Sequence, residues 1–309
     1  MQIYLPIAEM PVNIFLILFL GLATGFLAGM FGIGGGFLAT PFLIFIGIPS
    51  SVAVATSTNQ IISASISGLL VHLRKGAVDI RIGGLLIFGG FIGSLLGVII
   101  FRMLENIGQI DISIALIYVI FLGAIGIAMA SDSFKAVLEK KYNISWSKKS
   151  KSKLLWLINK IEKLPCKSFF PKSEITISIF VPIAISIGIG ILVSLIGIGG
   201  GFLMIPAMLY ILKMPSSLVV GTSLFQIVFI ASNATLLQAI TNHNVDIILS
   251  SLMIFSSAIG AQFGTRVGYK MDADVMRSFL AILLILICTK MLFSLFSEPQ
   301  DLYKVEVLK

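Results

Sequence analysis

Gly32-Ile33-Gly34-Gly35-Gly36-Phe37-Leu38 recurs unchanged as Gly197-Ile198-Gly199-Gly200-Gly201-Phe202-Leu203, 165 positions further on, and each copy is followed at the same distance by a proline, Pro41 and Pro206. Both copies interrupt long apolar runs. A glycine cluster beside a proline breaks a helix, and broken backbone at membrane depth is tolerated only where protein or a water-filled cavity covers it. A matched pair of interrupted hydrophobic segments, one in each half of a chain, points to a transporter's binding site.

The surrounding composition supports a membrane setting. Only 12% of the 309 residues are charged and 57% are hydrophobic, with a mean hydropathy of +1.06, whereas soluble domains carry about 25% charged residues. The apolar runs are 12–30, 36–48, 51–72, 80–103 and 111–130, then 175–196, 201–213, 217–240, 246–269 and 275–296. Most approach the ~20 residues that a spanning helix needs. No Lys or Arg precedes the first run, so Val12–Met30 is expected as a retained helix, not a signal peptide. The two cysteines, Cys166 and Cys288, make neither a disulfide framework nor a metal motif.

The two sets of five runs align throughout. Ile48-Pro49-Ser50-Ser51 answers to Met214-Pro215-Ser216-Ser217, Thr56-Ser57 and Gln60 to Thr222-Ser223 and Gln226, and Val78-Asp79 to Val245-Asp246. Gly93 and Gly97 answer to Gly260 and Gly264; their spacing suits close helix packing. The expected fold is therefore an all-α membrane protein of two repeats, 12–130 and 175–296, with a basic loop at 131–174 between them and a tail at 297–309. An odd number of crossings inverts the second repeat. The charges agree: Arg74, Lys75 and Arg81 have no Lys or Arg counterpart in 241–246, while Arg266, Lys270 and Arg277 face only Arg102. That exchange is what inverted topology requires. The second run of each half, about 13 residues or ~20 Å of helix against a ~30 Å core, is a half-helix or a re-entrant hairpin. Re-entry would leave four crossings per half and remove the inversion.

Most of the net charge of +8 sits in the loop, where eleven Lys face four acids between Ser131 and Glu174. A Lys-rich loop between spans marks the cytoplasmic face and does not call for nucleic acid. Within it Leu154, Leu157, Ile158, Ile161 and Leu164 share one helical side, as in an amphipathic helix on an anionic leaflet. The chain is expected in a cell membrane as a multi-pass protein, the inner membrane in a Gram-negative cell.

No acid lies in the middle of a run, and His72 and His243 fall at run ends. Catalytic residues, a cofactor and a metal site are accordingly not expected. Uncharged polar groups are patterned instead. Thr56, Gln60, Ser63 and Ser67 fall on one helical face, with Asn59 beside them; the second half places Thr222, Gln226, Phe229 and Asn233 there. Single serines read as hydrogen-bonding glue between helices. Gly34, Gly35, Gly36, Gly199, Gly200 and Gly201 expose backbone N–H groups at the start of half-helices, a setting that favours an anion. With Thr56, Asn59, Gln60, Thr222 and Gln226 they form the candidate substrate site.

These stretches, the doubled glycine motif with its downstream proline, the Pro-Ser-Ser and Thr-Ser pairs and the basic central loop, resemble the TauE/SafE family of sulfite and organosulfonate exporters. The likeness runs from about Val12 to Phe296. It implies a transporter that moves sulfur-containing anions such as sulfite, sulfoacetate or related sulfonates out of bacterial cells, and it does not select the molecule. An inside-negative potential favours anion exit by ~2.3 kcal/mol per charge per 100 mV, so export needs no coupling carboxylate. A passive anion channel, an importer of the same class and a scaffold whose glycines only pack helices are the other readings. The expected partners are the lipid bilayer and a small anion; the oligomeric state, homodimer included, stays open.

Overall fold

The computed structural model describes residues 2–31, 34–142, 166–268, 271 and 273–296; the amphipathic segment expected around 154–164, Lys270 and the tail lie outside them. Among the described residues ten α-helices follow the apolar runs: α1 (Ile14–Phe31), α2 (Gly36–Phe45), α3 (Ser50–Arg74), α4 (Ile80–Asn106), α5 (Ile110–Tyr142), α6 (Phe180–Ile196), α7 (Gly201–Pro206), α8 (Ser216–Thr241), α9 (Ile247–Gly268) and α10 (Ala273–Phe296). Among the described residues, six helices are long and apolar enough to cross a membrane. At 25 residues α3 is also long enough, but its Thr, Ser, Asn and Gln side chains lower its hydropathy. Downstream of Pro206, which lacks the N–H that an α-turn needs, α7 widens into a π-turn over Ala207–Ile211.

Two short hairpins depart from the all-helical expectation. β1 (Gln2–Leu5) pairs with β2 (Met10–Asn13), and β3 (Lys167–Phe170) pairs with β4 (Ile175–Ser178). Four-residue strands are too short to show in apolar patterning. Their turns nonetheless match: Pro6 and Pro171 open them, and Glu9 and Glu174 close them, each with φ near +53°. The second hairpin and the continuation of α5 to Tyr142 occupy both ends of the segment read as a loop.

The helices divide into two compact units, which take elements from both halves of the sequence. One holds the hairpins, α1–α4 and α6–α9; the other holds α5 from Ile112 onward and α10. In the smaller unit, Gly126 of α5 faces Leu284 and Ile285, and the Cys288 thiol donates to the Val119 carbonyl at 3.5 Å.

In the larger unit, glycine lines bring helices together. Leu22, Phe26 and Met30 of α1 lie over Gly260, Gly264 and Gly268 of α9, while Ile183, Ile187 and Ile191 of α6 lie over Gly89, Gly93 and Gly97 of α4. The constant register makes each pair parallel. A Cβ on Gly97 would stand 2.7 Å from the Ile191 carbonyl oxygen, and one on Gly268 2.6 Å from that of Met30. Only hydrogen fits there, as the GxxxG spacing predicts.

α2 turns back along α1. A Cβ on Gly35 would come within 2.6 Å of Ala28 Cβ and 2.8 Å of the Thr24 carbonyl, and Leu43 clusters with Leu5, Val12 and Ile17. Its ten residues are a return leg of about 15 Å. α3 and α8 then pass each other in opposite directions: Ile61 meets Ile227 near both midpoints, and Leu69 late in α3 meets Leu224 early in α8.

Each hairpin sits over the helix starts around it and closes on a buried aspartate from the other half of the sequence. Asp79 caps α4 by accepting from the Arg81 and Ile82 N–H groups and takes a further bond from the Ser173 hydroxyl. Asp246 caps α9 through the Ile248 and Leu249 N–H groups, both at 3.0 Å, and accepts from the Ile7 N–H at 3.0 Å. Both carboxylates are at most 1% exposed. Replacing either Asp79 or Asp246 by Ala strands several buried donors, a cost of about 1–3 kcal/mol each. The apparent melting temperature in detergent should fall by several degrees, and less for Asn, which keeps the capping oxygen. Unchanged melting of the Ala variants would contradict this account of the caps.

Candidate functional site

The two interruptions are built from left-handed glycines. Gly34 and Gly35 have φ of +83° and +71°, and Gly197, Gly199 and Gly200 have +68°, +81° and +68°. Such angles cost a side-chain-bearing residue steric energy that glycine avoids. Gly35 and Gly200 serve as N-caps: the Gly35 carbonyl accepts from the Leu38 N–H at 3.1 Å, and that of Gly200 from the Met204 N–H at 2.8 Å. The first-turn N–H groups of Gly36 and Phe37 lie ahead of the intrahelical ladder.

The interruptions meet. Phe37 and Phe202, the same motif position in each copy, stack with centroids 5.2 Å apart and planes inclined by 14°. The Gly197 carbonyl lies directly against Gly36, and Gly197 rests on the hydrogen-bonded pair Thr40 and Ser57. Between the breaks stands Ile61. It packs on Gly34, Gly36 and Gly199, and Ile227 approaches Gly34 from α8. Both isoleucines are buried, so an apolar plug fills the junction in this conformation.

The polar candidates behave unequally. Gln60 donates through Nε2 to Thr24 Oγ1 at 2.6 Å, while its Oε1 has no partner. Gln226 is 0% exposed and neither its Nε2 nor its Oε1 is bonded. Thr56 Oγ1 is buried and unpartnered. Thr222, its counterpart, accepts from the Asp79 N–H at 2.9 Å and so holds the turn before α4. Asn59 is half-buried. Farther along the stripes Ser63 donates to the Ile254 carbonyl at 3.0 Å, Asn233 donates to Ser94 Oγ at 2.6 Å, and Phe229 is exposed and packs edge-on to Phe225. Those three positions join helices or face outward.

A family model described as "Sulfite exporter TauE/SafE" matches residues 17–291. The chain belongs to the TauE/SafE family. Relatives include the "Probable membrane transporter protein YunE" of Bacillus subtilis, 26% identical over 286 residues covering 89% of this chain and 95% of the relative, and the "Probable membrane transporter protein YjnA" of the same organism, 26% identical over 272 residues covering 87% and 96%. "Sulfite exporter TauE/SafE family protein 1" of Arabidopsis thaliana is 28% identical over 126 residues, 40% of this chain and 26% of that protein. No solved structure matches significantly.

This TauE/SafE junction contains residues that sequence reasoning passed over. Ile61 and Ile227 each follow the matched glutamine, a signal hidden because isoleucine is unremarkable in an apolar run. Ser65, buried, unpartnered and close to Gly34, lies one helical turn beyond Ile61. Thr24 shows only as the partner of Gln60. The buried charged residues among those described are Asp79 and Asp246, both engaged as caps, which leaves the junction without a formal charge of its own.

The Phe37–Phe202 contact is directly testable. In a Cys166→Ser, Cys288→Ser background, Phe37→Cys combined with Phe202→Cys should form an intramolecular crosslink with a mild oxidant or a short bifunctional reagent. Each single variant should not. No crosslink in the folded double variant would contradict the meeting of the breaks.

Proposed function

We propose that this protein is a secondary transporter that exports a small sulfur-containing anion, of the sulfite or organosulfonate class, through the junction of its two broken segments. The observation carrying this reading is the unpartnered set Gln226, Gln60 Oε1, Thr56 and Ser65 on the two helices that cross at the junction. Buried polar groups are ordinarily hydrogen-bonded, and an unmatched group costs about 1–3 kcal/mol. A polar solute that visits the site supplies the missing partners. The Gly36 and Phe37 N–H groups add donors suited to an anion.

The two halves act as inverted repeats in this mechanism. α2 returns to the end where α1 began and where α3 starts, so α1 and α2 re-enter together. That would leave α3, α4 and α5 as three crossings, an odd number, where re-entry of the short segment alone was expected to leave four. Opposed α3 and α8, the α1–α9 and α4–α6 pairs and the crosswise hairpin contacts support that symmetry. Exchange between two equivalent tilts would open the junction to either side in turn. The Ile61–Ile227 contact is the closed point that such a rearrangement parts. The end bearing the second hairpin, with Arg74, Lys75, Arg81, Lys167 and Lys172, faces the cytoplasm by the positive-inside rule, together with loop 131–174.

Counterflow in proteoliposomes tests the reading. Sulfite or a sulfonate loaded on the far side should accelerate uptake of labelled substrate, and an imposed potential should drive net flux toward the positive side. Flux indifferent to loaded substrate would instead mark a channel. Ile61→Ala should raise the passive leak of the same anion several-fold, and Ile61→Phe should suppress transport in a normally folded protein. Wild-type rates in both variants would remove Ile61 from the path.

A further inference from the structure

The halves differ where their glutamines sit. Gln60 finds the Thr24 hydroxyl at 2.6 Å. The position 165 residues beyond Thr24 is Ile189, a buried hydrocarbon beside Gly200. Where the first half supplies a hydroxyl, the second supplies none, and the Gln226 amide is left with both ends open. The same imbalance holds one turn farther on: Ser65 of α3 corresponds to Ala231 of α8. The site is polar on an unequal pattern.

That pattern constrains the solute. An amide offers two N–H donors and one carbonyl acceptor. Gln226 Nε2 suits an anionic oxygen, but Gln226 Oε1 and Gln60 Oε1, both unpartnered, accept only. A solute made solely of acceptor oxygens leaves those two carbonyls facing nothing or facing like partial charge. A solute with an O–H or N–H of its own completes them. Charge points the same way. Among the described residues no cation is buried, and the cost of burying an ion grows steeply with its charge.

We propose that the substrate is a singly charged oxyanion carrying its own hydrogen-bond donor, such as hydrogen sulfite or a hydroxysulfonate, and that Gln226 is the residue that selects it. This rests on the transport reading above and narrows it: fully deprotonated sulfite, sulfate and donor-free sulfonates are poor ligands. Gln226 recognises both ends of the donor–acceptor pair, while Gln60, pinned to Thr24, contributes its carbonyl alone.

A matched pair of probes tests this in the purified full-length protein. 2-Hydroxyethanesulfonate and ethanesulfonate differ by one hydroxyl; lactate and propionate repeat that difference on a carboxylate. Thermal stabilisation, which rises with ligand concentration over Kd, should appear for 2-hydroxyethanesulfonate at about tenfold lower concentration than for ethanesulfonate. Gln226→Met, close in shape and lacking the amide, should melt no lower than wild type without ligand and should abolish the preference. Equal responses to the two sulfonates would overturn the inference while leaving sulfonate transport standing. A response to lactate over propionate, with both sulfonates silent, would support the donor rule and overturn the sulfur class. Silence to all four would overturn the inference, and counterflow with sulfite would then judge the transport reading separately. A preference retained in Gln226→Met would also overturn it; should that variant fail to fold, the wild-type pair comparison decides alone.

Discussion

A helix that stops inside a hydrocarbon layer leaves backbone N–H and C=O groups that lipid cannot satisfy, so protein must cover them. This chain breaks two helices and covers each break with the other. The Gly197 carbonyl lies against Gly36, Phe37 stacks on Phe202, and Ile61 fills the space between. The packing around them serves that contact. Parallel α1–α9 and α4–α6 pairs, held close by glycine lines, bring the ends of α1 and α6 to the crossing of α3 and α8. The hairpins lock the surrounding helix starts through Asp79 and Asp246.

The junction leaves buried polar groups without partners, as happens elsewhere at Thr235, Asn242 and Ser250. Several polar side chains on α3 and α8 are engaged: Ser57 with Thr40, Ser63 with α9, Thr222 with the Asp79 N–H, Asn233 with Ser94. Beside the isoleucine pair, Gln226 is wholly unpartnered, Gln60 is bonded through its Nε2 alone, and Ser65, one turn from Ile61, has no partner; Thr56 on α3 and Thr235 on α8 are unpartnered farther along. A protein concerned only with stability gains by replacing such groups with hydrocarbon. Their retention beside a removable plug is the physical core of the transport proposal.

Much of this architecture was legible in the sequence because glycine and proline act through the backbone. Two identical glycine motifs, each followed by a proline, located the breaks, and GxxxG spacing located the close helix contacts. The hairpins were not legible, since four-residue strands beside apolar helices carry too little pattern. Nor was the unequal fate of matched residues: Thr56 and Thr222 look alike, yet only Thr222 is bonded to a turn. Gln60 and Gln226 look alike too, and their difference lies in Thr24 and Ile189, more than thirty positions away. Such distinctions depend on what a side chain meets across the fold, which a repeat alignment hides.

The central claim is that the junction of the breaks holds the anion, and the position of a bound anion tests it most directly. Selenite is the heavier analogue of sulfite, and its selenium scatters anomalously. In crystals of the protein grown with selenite, an anomalous peak should fall between the two glycine motifs and beside Gln226, with the Ile61–Ile227 contact parted. Peaks confined to exposed helix ends, with the isoleucines still closed on Gly34 and Gly199, would contradict the account.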